Sequence, residues 1–228
     1  MLSGNHWLSN SKSDDLQKLS NEIEADVTNE LKCLLAESAA MTTLAQALPS
    51  LRVKKARNTL VQTQDTFIGL SNRLVGKEKT LLDATAYLFW VEVSTNLLAD
   101  MLIIMLSTKE QPFHIEPDDR YRFTRHATTI DDLESPSVTL AMKLSFLDRC
   151  SIKCFGKYVD RTLRNKIAHG DFEISEKGEF FVHKVEDGQI KNKHVDIQRK
   201  LDRLNIFNSK VMHQITLALK ESKKLPRT

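Results

Sequence analysis

Arg164, Asn165 and His169 stand in the string Arg164-Asn165-Lys166-Ile167-Ala168-His169-Gly170, and their residue types share a chemistry. RNA carries its own nucleophile in the 2′-hydroxyl, so cleaving it requires only proton movement and stabilisation of the extra charge on phosphorus. An imidazole moves protons near neutral pH, and a guanidinium offers forked donors to a phosphoryl group. An amide beside them can orient the phosphate or the imidazole. Such a site needs no metal and no other cofactor. The same string has a plainer reading. A histidine in the last turn of a helix gains about 0.3–1 kcal/mol from the macrodipole, and a glycine after it is a common stop. Arg120 and His126 form a second pair at similar spacing, in a Pro-interrupted segment beside Glu116, Asp118 and Asp119, so spacing alone decides nothing.

The stretch that must position these groups reads FGKYVDRTLRNKIAHGDF, residues 155–172. Phe155, Val159, Leu163 and Ile167 recur at every fourth position, which predicts one amphipathic helix from Phe155 to His169, docked by that stripe and ending at Gly170. Lys157, Arg161, Arg164, Asn165 and His169 lie mostly off the stripe and would be presented together. Lys157, Arg161 and Lys166 are therefore candidates to bind RNA beside the three catalytic candidates. Asp171-Phe172 then opens a hairpin.

The string, at the end of an amphipathic helix late in a helical chain, resembles the signature of the HEPN superfamily: Arg, a polar residue, three more residues, then His. Within it the resemblance is to the RiboL-PSP-associated type. Only these seven residues are specific; the rest resembles the family in helix order alone. The resemblance implies a small α-helical bundle that dimerises and brings two motifs to one cleft. It also implies a metal-independent ribonuclease acting as a toxin or antiphage effector, with Arg164, Asn165 and His169 carrying the activity and an antitoxin or regulatory protein as a further partner. A large toxin subgroup has Tyr two places after the His, where a partner enzyme can nucleotidylate it. This chain has Asp171 there, which departs from that mode of regulation. Some members lack activity, so an inert helical dimer binding nucleotide, RNA or a partner protein is the alternative.

Composition supports long helices: 228 residues, 41% apolar, with 7 Gly and 5 Pro. A net charge of +3 announces no nucleic-acid binder, so RNA contact has to come from local patches. Arg52, Lys54, Lys55 and Arg57 form the densest basic cluster of the first half; they read either as phosphate contacts or as a solvated loop. Three cysteines, Cys33, Cys150 and Cys154, suggest a reducing compartment and a cytoplasmic protein. Cys150 and Cys154 have no second ligand pair, which favours buried thiols over a metal site. The polar start has no signal-peptide pattern.

The expected fold is all-α, a HEPN-like bundle in a single domain over 1–228, with 1–13 flexible, 107–137 a long connection and 171–194 a β-ribbon insertion. Asp14 begins a helix of about 35 residues that runs to Pro49, longer than a compact domain needs unless it bends or serves a dimer. Leu60, Gln64, Phe67 and Leu70 mark a second helix ending near Gly76. Residues 78–106 are apolar enough to raise a membrane span, but Glu92, Asn96 and Asp100 draw a polar line at intervals of four, so a core helix is expected. Glu92 or Asp100 can hold Arg164 or orient His169; equally, the line is a structural network or a wet face. Ser137 is a candidate cap for a helix through Leu140, Leu144 and Leu147, and Asp196 for a final helix from Ile197 to Leu219. His183 and His194, on the ribbon, read as surface residues. An ideal helix sets positions 164 and 169 about 140° apart, so two chains about a twofold axis would combine them, which predicts a homodimer.

Overall fold

In the computed structural model the described residues are 13–107, 129–135, 138–186 and 189–222. Most of the 107–137 connection, with Arg120 and His126, lies outside them, as do the polar start, Ser137 and the Asp187-Gly188 turn signal.

The first apolar stripe forms α1 (Ser13–Leu35), but the helix does not reach Pro49. Glu37 is extended, with φ −82° and ψ 117°, and the chain restarts as α2 (Ser38–Ala47). The expected long helix is thus two, and the second buries Ala40, Met41 and Leu44 where it packs on the core. The basic cluster is helical rather than a loop: Ser50 caps α3 (Leu51–Ser71), its hydroxyl accepting from Val53 N at 3.2 Å. Gly76 does not end a helix but starts one, at φ 56°.

From Gly76 the chain runs through α4 (Gly76–Phe89), a π-helical turn (Trp90–Thr95) and α5 (Asn96–Leu106). This stretch of 31 residues is long and apolar enough to cross a bilayer. Yet most of its apolar window is buried within the protein, and every residue from Leu97 to Leu106 is buried. α2 and α6 (Leu140–Arg149) pack on α5, while α4 packs on α9 (Ile197–Ser222), which also lies along α1. Thr139 caps α6, accepting from Met142 N at 3.3 Å. Asp196 caps α9, accepting from Arg199 N at 2.9 Å, and Ile197, Leu201, Leu204, Phe207, Val211 and Ile215 form its buried stripe. Buried residues of all these helices form one apolar cluster, each large side chain contributing about 1.5–3 kcal/mol.

After α6 come α7 (Cys154–Tyr158) and α8 (Arg161–Ala168). An antiparallel meander follows: β1 (Phe172–Ile174), β2 (Phe180–Glu186) and β3 (Gln189–His194). Phe172 pairs with Val182 and stacks on Phe180 at 5.1 Å, so the inner face of the sheet joins the core. The β1–β2 turn closes onto the start of α4. Thr80 Oγ1 donates to Gly178 O at 2.7 Å, and a Cβ at Gly178 (φ 80°) would lie 2.8 Å from the Gly76 carbonyl carbon. The chain on both sides of His169 is therefore anchored to α4.

Candidate functional site

The expected single helix over 155–169 is broken. Val159 leaves α7 extended (φ −102°, ψ 108°), and Asp160 restarts the chain as α8. Asp160 takes three kinds of partner that a helical interior would not supply. Its Oδ1 accepts from Leu163 N at 2.9 Å, capping α8, and its Oδ2 accepts from Lys200 Nζ at 2.7 Å. The Tyr87 hydroxyl donates to its carbonyl at 3.2 Å and accepts from its amide at 3.1 Å. Burial opposes its charge, but Lys200 and the Leu163 amide outweigh that and hold the carboxyl below its usual range. The apolar stripe continues across the break, since Phe155, Val159, Leu163 and Ile167 are all buried.

α8 ends by a Schellman motif. Gly170 has φ 70°, Asp171 N donates to Lys166 O at 2.8 Å, and Gly170 N donates to Ile167 O at 3.2 Å. His169 is the exposed residue at the helix boundary, one place beyond the last helical residue. Its amide donates to Asn165 O at 3.0 Å. Asn165 Oδ1 accepts from Arg164 Nη1 at 2.9 Å, and Arg164 Nε donates to Glu92 Oε1. Glu92, Arg164 and Asn165 are thus linked by their side chains at the surface, and His169 joins them only through the helix backbone. The Arg164 and Glu92 side chains are 30% and 36% exposed, so the string is anchored yet open to water.

Glu92 occupies the π-helical turn, a widening often found at functional positions. The turn is held by Thr95 Oγ1, whose single hydrogen is shared between Trp90 O at 3.3 Å and Asn208 Oδ1 at 3.0 Å.

Two neighbours of the string were not marked as site residues by the sequence. Asp171 pairs with Lys166 Nζ at 2.7 Å. That hydrogen bond, with weaker attraction from His183 and His169, holds the Asp171 carboxyl below its usual range. His183 reaches this carboxylate because its amide donates to Asp171 O at 3.1 Å, continuing the β1–β2 register. The signal for His183 was the hairpin pattern itself, which sets it opposite the residue preceding Phe172. His194 instead packs its ring edge-on against Phe181 at 5.5 Å.

Other candidates lie elsewhere. Asp100 neither holds Arg164 nor orients His169: it is fully buried, its oxygens engaged by Arg52 Nη2 and by Lys143 Nζ at 2.7 Å. Arg52 is accordingly no free phosphate contact; it points inward, with Glu134 3.7 Å away as a second carboxylate. Lys157 turns toward α1, meeting Glu22 at 2.9 Å and Asp26 at 2.6 Å, because the break at Val159 takes α7 off the line of α8. Lys166 remains beside the motif but is engaged by Asp171. Lys54, Lys55 and Arg57 are exposed on α3, where Lys54 and Arg57 border a shallow depression with Val61. Arg161 is exposed and has no ion pair among the described residues. Cys150 and Cys154 are thiols outside any disulfide, both pushed above their ordinary range by burial. Among the described residues no group of three or more His, Cys, Asp or Glu is placed to hold a metal ion.

The arrangement places a guanidinium, an amide and an imidazole on one short helix, all with access to water. Comparison with protein-family models, with curated proteins and with solved structures finds no match for this chain.

Proposed function

We propose that this chain is a HEPN-like, metal-independent endoribonuclease of the reducing cytoplasm, acting on RNA as a toxin or antiphage effector. The observation that carries this reading is the surface chain Glu92–Arg164–Asn165, which fixes a guanidinium on the short helix that ends at the exposed His169. In the reaction the 2′-oxygen attacks phosphorus while the P–O5′ bond breaks. His169 acts either as general base that takes the 2′-hydroxyl proton or, protonated, as general acid that gives a proton to the leaving 5′-oxygen, with water completing the other transfer. Products are a 2′,3′-cyclic phosphate and a 5′-hydroxyl. Arg164 stabilises the charge that develops on the phosphoryl oxygens, and Asn165 orients the phosphate. General acid–base catalysis of this kind contributes about 10²–10⁴-fold. Positions 164 and 169 diverge around the helix by about 140°, and a twofold dimer with α8 at its seam would pair the guanidinium of one chain with the imidazole of the other.

A second reading is favoured by one observation: Arg164 is already engaged by Glu92 and Asn165, which suits an inert HEPN-like dimer that binds nucleotide, RNA or a partner protein. Incubation with total RNA in EDTA separates the two. Cleavage that vanishes in His169→Ala and Arg164→Ala supports the nuclease; binding without cleavage supports the inert module.

A further inference from the structure

The break between α7 and α8 leaves a polar cleft of ≈ 320 Å³ at the opposite end of α8 from His169. A water takes up about 30 Å³, so the space admits a phosphate group with part of its hydration. Lys157, Arg161, Lys200 and Arg203 line it, with Asp160 as the single lining carboxylate. Two of these cations already have carboxylate partners: Lys200 bonds Asp160 at 2.7 Å, and Lys157 meets Glu22 and Asp26 at the rim. The two arginines form no ion pair among the described residues, and Arg161 is exposed.

The hydrogen bond and ring contact of Arg203 are with neutral groups, which fix its plane, while the Glu22 carboxylate lies within reach of its charge. Arg203 Nη2 donates to Lys157 O at 3.2 Å, and its guanidinium carbon lies 4.9 Å from the centre of the Tyr158 ring. A guanidinium stacked on an aromatic ring is preorganised for an oxyanion. The N-terminus of α8 borders the same space, where the Asp160 carboxylate already caps it by accepting from Leu163 N at 2.9 Å.

We propose that this cleft is a subsite for the phosphate backbone of single-stranded RNA, with Arg161 and Arg203 as its principal contacts. The eight residues of α8 set it about 12 Å from His169, a span covered by a strand of a few nucleotides. The choice of RNA rests on the ribonuclease reading; the anion chemistry rests on the cleft alone. Arg161 and Arg203 are positioning residues, acting on where the strand lies rather than on the bond that breaks.

The test is fluorescence anisotropy with a labelled single-stranded RNA of about 12 nucleotides, within the range that single-strand grooves cover. The background is full-length His169→Ala, so that bound RNA stays whole. Adding Arg161→Glu is expected to weaken binding by about tenfold or more. It should also make the dependence of log Kd on log salt shallower by about 0.7, the loss of one phosphate contact on a single strand. Arg203→Gln should act in the same direction, with circular dichroism reporting whether it folds; Arg161 is exposed, so its variant keeps the test decisive. In the otherwise unaltered protein, Arg161→Glu should raise KM for RNA more than it lowers kcat. Affinity, salt slope and KM all unchanged in Arg161→Glu, while RNA is still cut, would overturn the subsite and spare the nuclease. Arg161-dependent binding with no cleavage in EDTA would spare the subsite and overturn the nuclease. No RNA binding at all would overturn both.

Discussion

Glu92 and Asp100 sit eight residues apart on one continuous helix, each holding an arginine from elsewhere in the fold, yet they serve different ends. Asp100 is sealed with Arg52 and Lys143, the three side chains being 0%, 11% and 1% exposed. Burial raises the Asp100 carboxyl and lowers the Lys143 amine, and each opposes the other's shift by its charge. Asn96, between the two carboxylates, accepts from the same Lys143 at 2.7 Å. Glu92 and Arg164 are both about one-third exposed. An exposed pair contributes about 0–1 kcal/mol, whereas removing one partner from a buried pair costs about 3–5 kcal/mol. Carboxylate pairing therefore does not tell a structural arginine from a chemical one; access to water does.

The largest effect expected from this contrast lies in the sealed cluster. Lys143→Ala should lower unfolding free energy in urea by about 3–5 kcal/mol, since it strands Asp100 beside a single cation. A loss below about 1 kcal/mol would break the distinction between the two pairs. Arg164→Ala, by contrast, should change stability by no more than about 1 kcal/mol while reducing RNA cleavage by about 100-fold or more.

Asp202 sharpens the comparison from another side, because it is a buried carboxylate with no ion pair among the described residues and only a weak pull from Lys79. Burial, with the nearby Asp83 and Asp196 charges adding to it, pushes its carboxyl up to about 6 against the Gln198 hydrogen bond. Lys79 is spent on both oxygens of Asp83 at 3.1 Å. A carboxyl raised in the fold favours the folded state below its unfolded pKa near 4, and this contribution is lost as pH rises through about 6. Asp202→Asn keeps an oxygen for Gln198, so it should raise Tm at pH 7.5 by the equivalent of up to about 3 kcal/mol and give no gain at pH 4. Equal Tm shifts at the two pH values would show that Asp202 does not titrate between them. The smallest effect is expected for Glu92→Gln: stability within about 1 kcal/mol of the parent, and cleavage reduced about tenfold as Arg164 loses its charged anchor. Unchanged cleavage with unchanged folding would remove Glu92 from the catalytic account.

Much of this was legible from side-chain pattern. The α9 stripe, its Asp196 cap, the three-stranded meander and the stop at Gly170 follow from periodicity and turn chemistry that act locally. The breaks were less legible because apolar spacing passes straight through them. Val159 stays on the buried stripe while its backbone is extended, and what turns the chain there is Tyr87, 73 residues away along the chain. Asp160 did carry a cap signal, hidden by the longer pattern that spans it. The π-helical turn left no mark in WVEVST, since its stabilising contact comes from Asn208. Glu92 and Asp100 could not be separated by spacing, nor Arg52 from Lys54, Lys55 and Arg57. In each case the deciding partner lies on another helix.

The central claim is that His169 and Arg164 cut RNA together without a metal. Its most direct measurement is single-turnover cleavage of a 5′-labelled RNA in EDTA by the parent, His169→Ala and Arg164→Ala proteins, with the product ends identified. The account predicts 2′,3′-cyclic phosphate ends from the parent and a rate lower by about 100-fold or more in each variant. Cleavage that persists undiminished in folded His169→Ala, or a folded parent that leaves RNA intact, would contradict it.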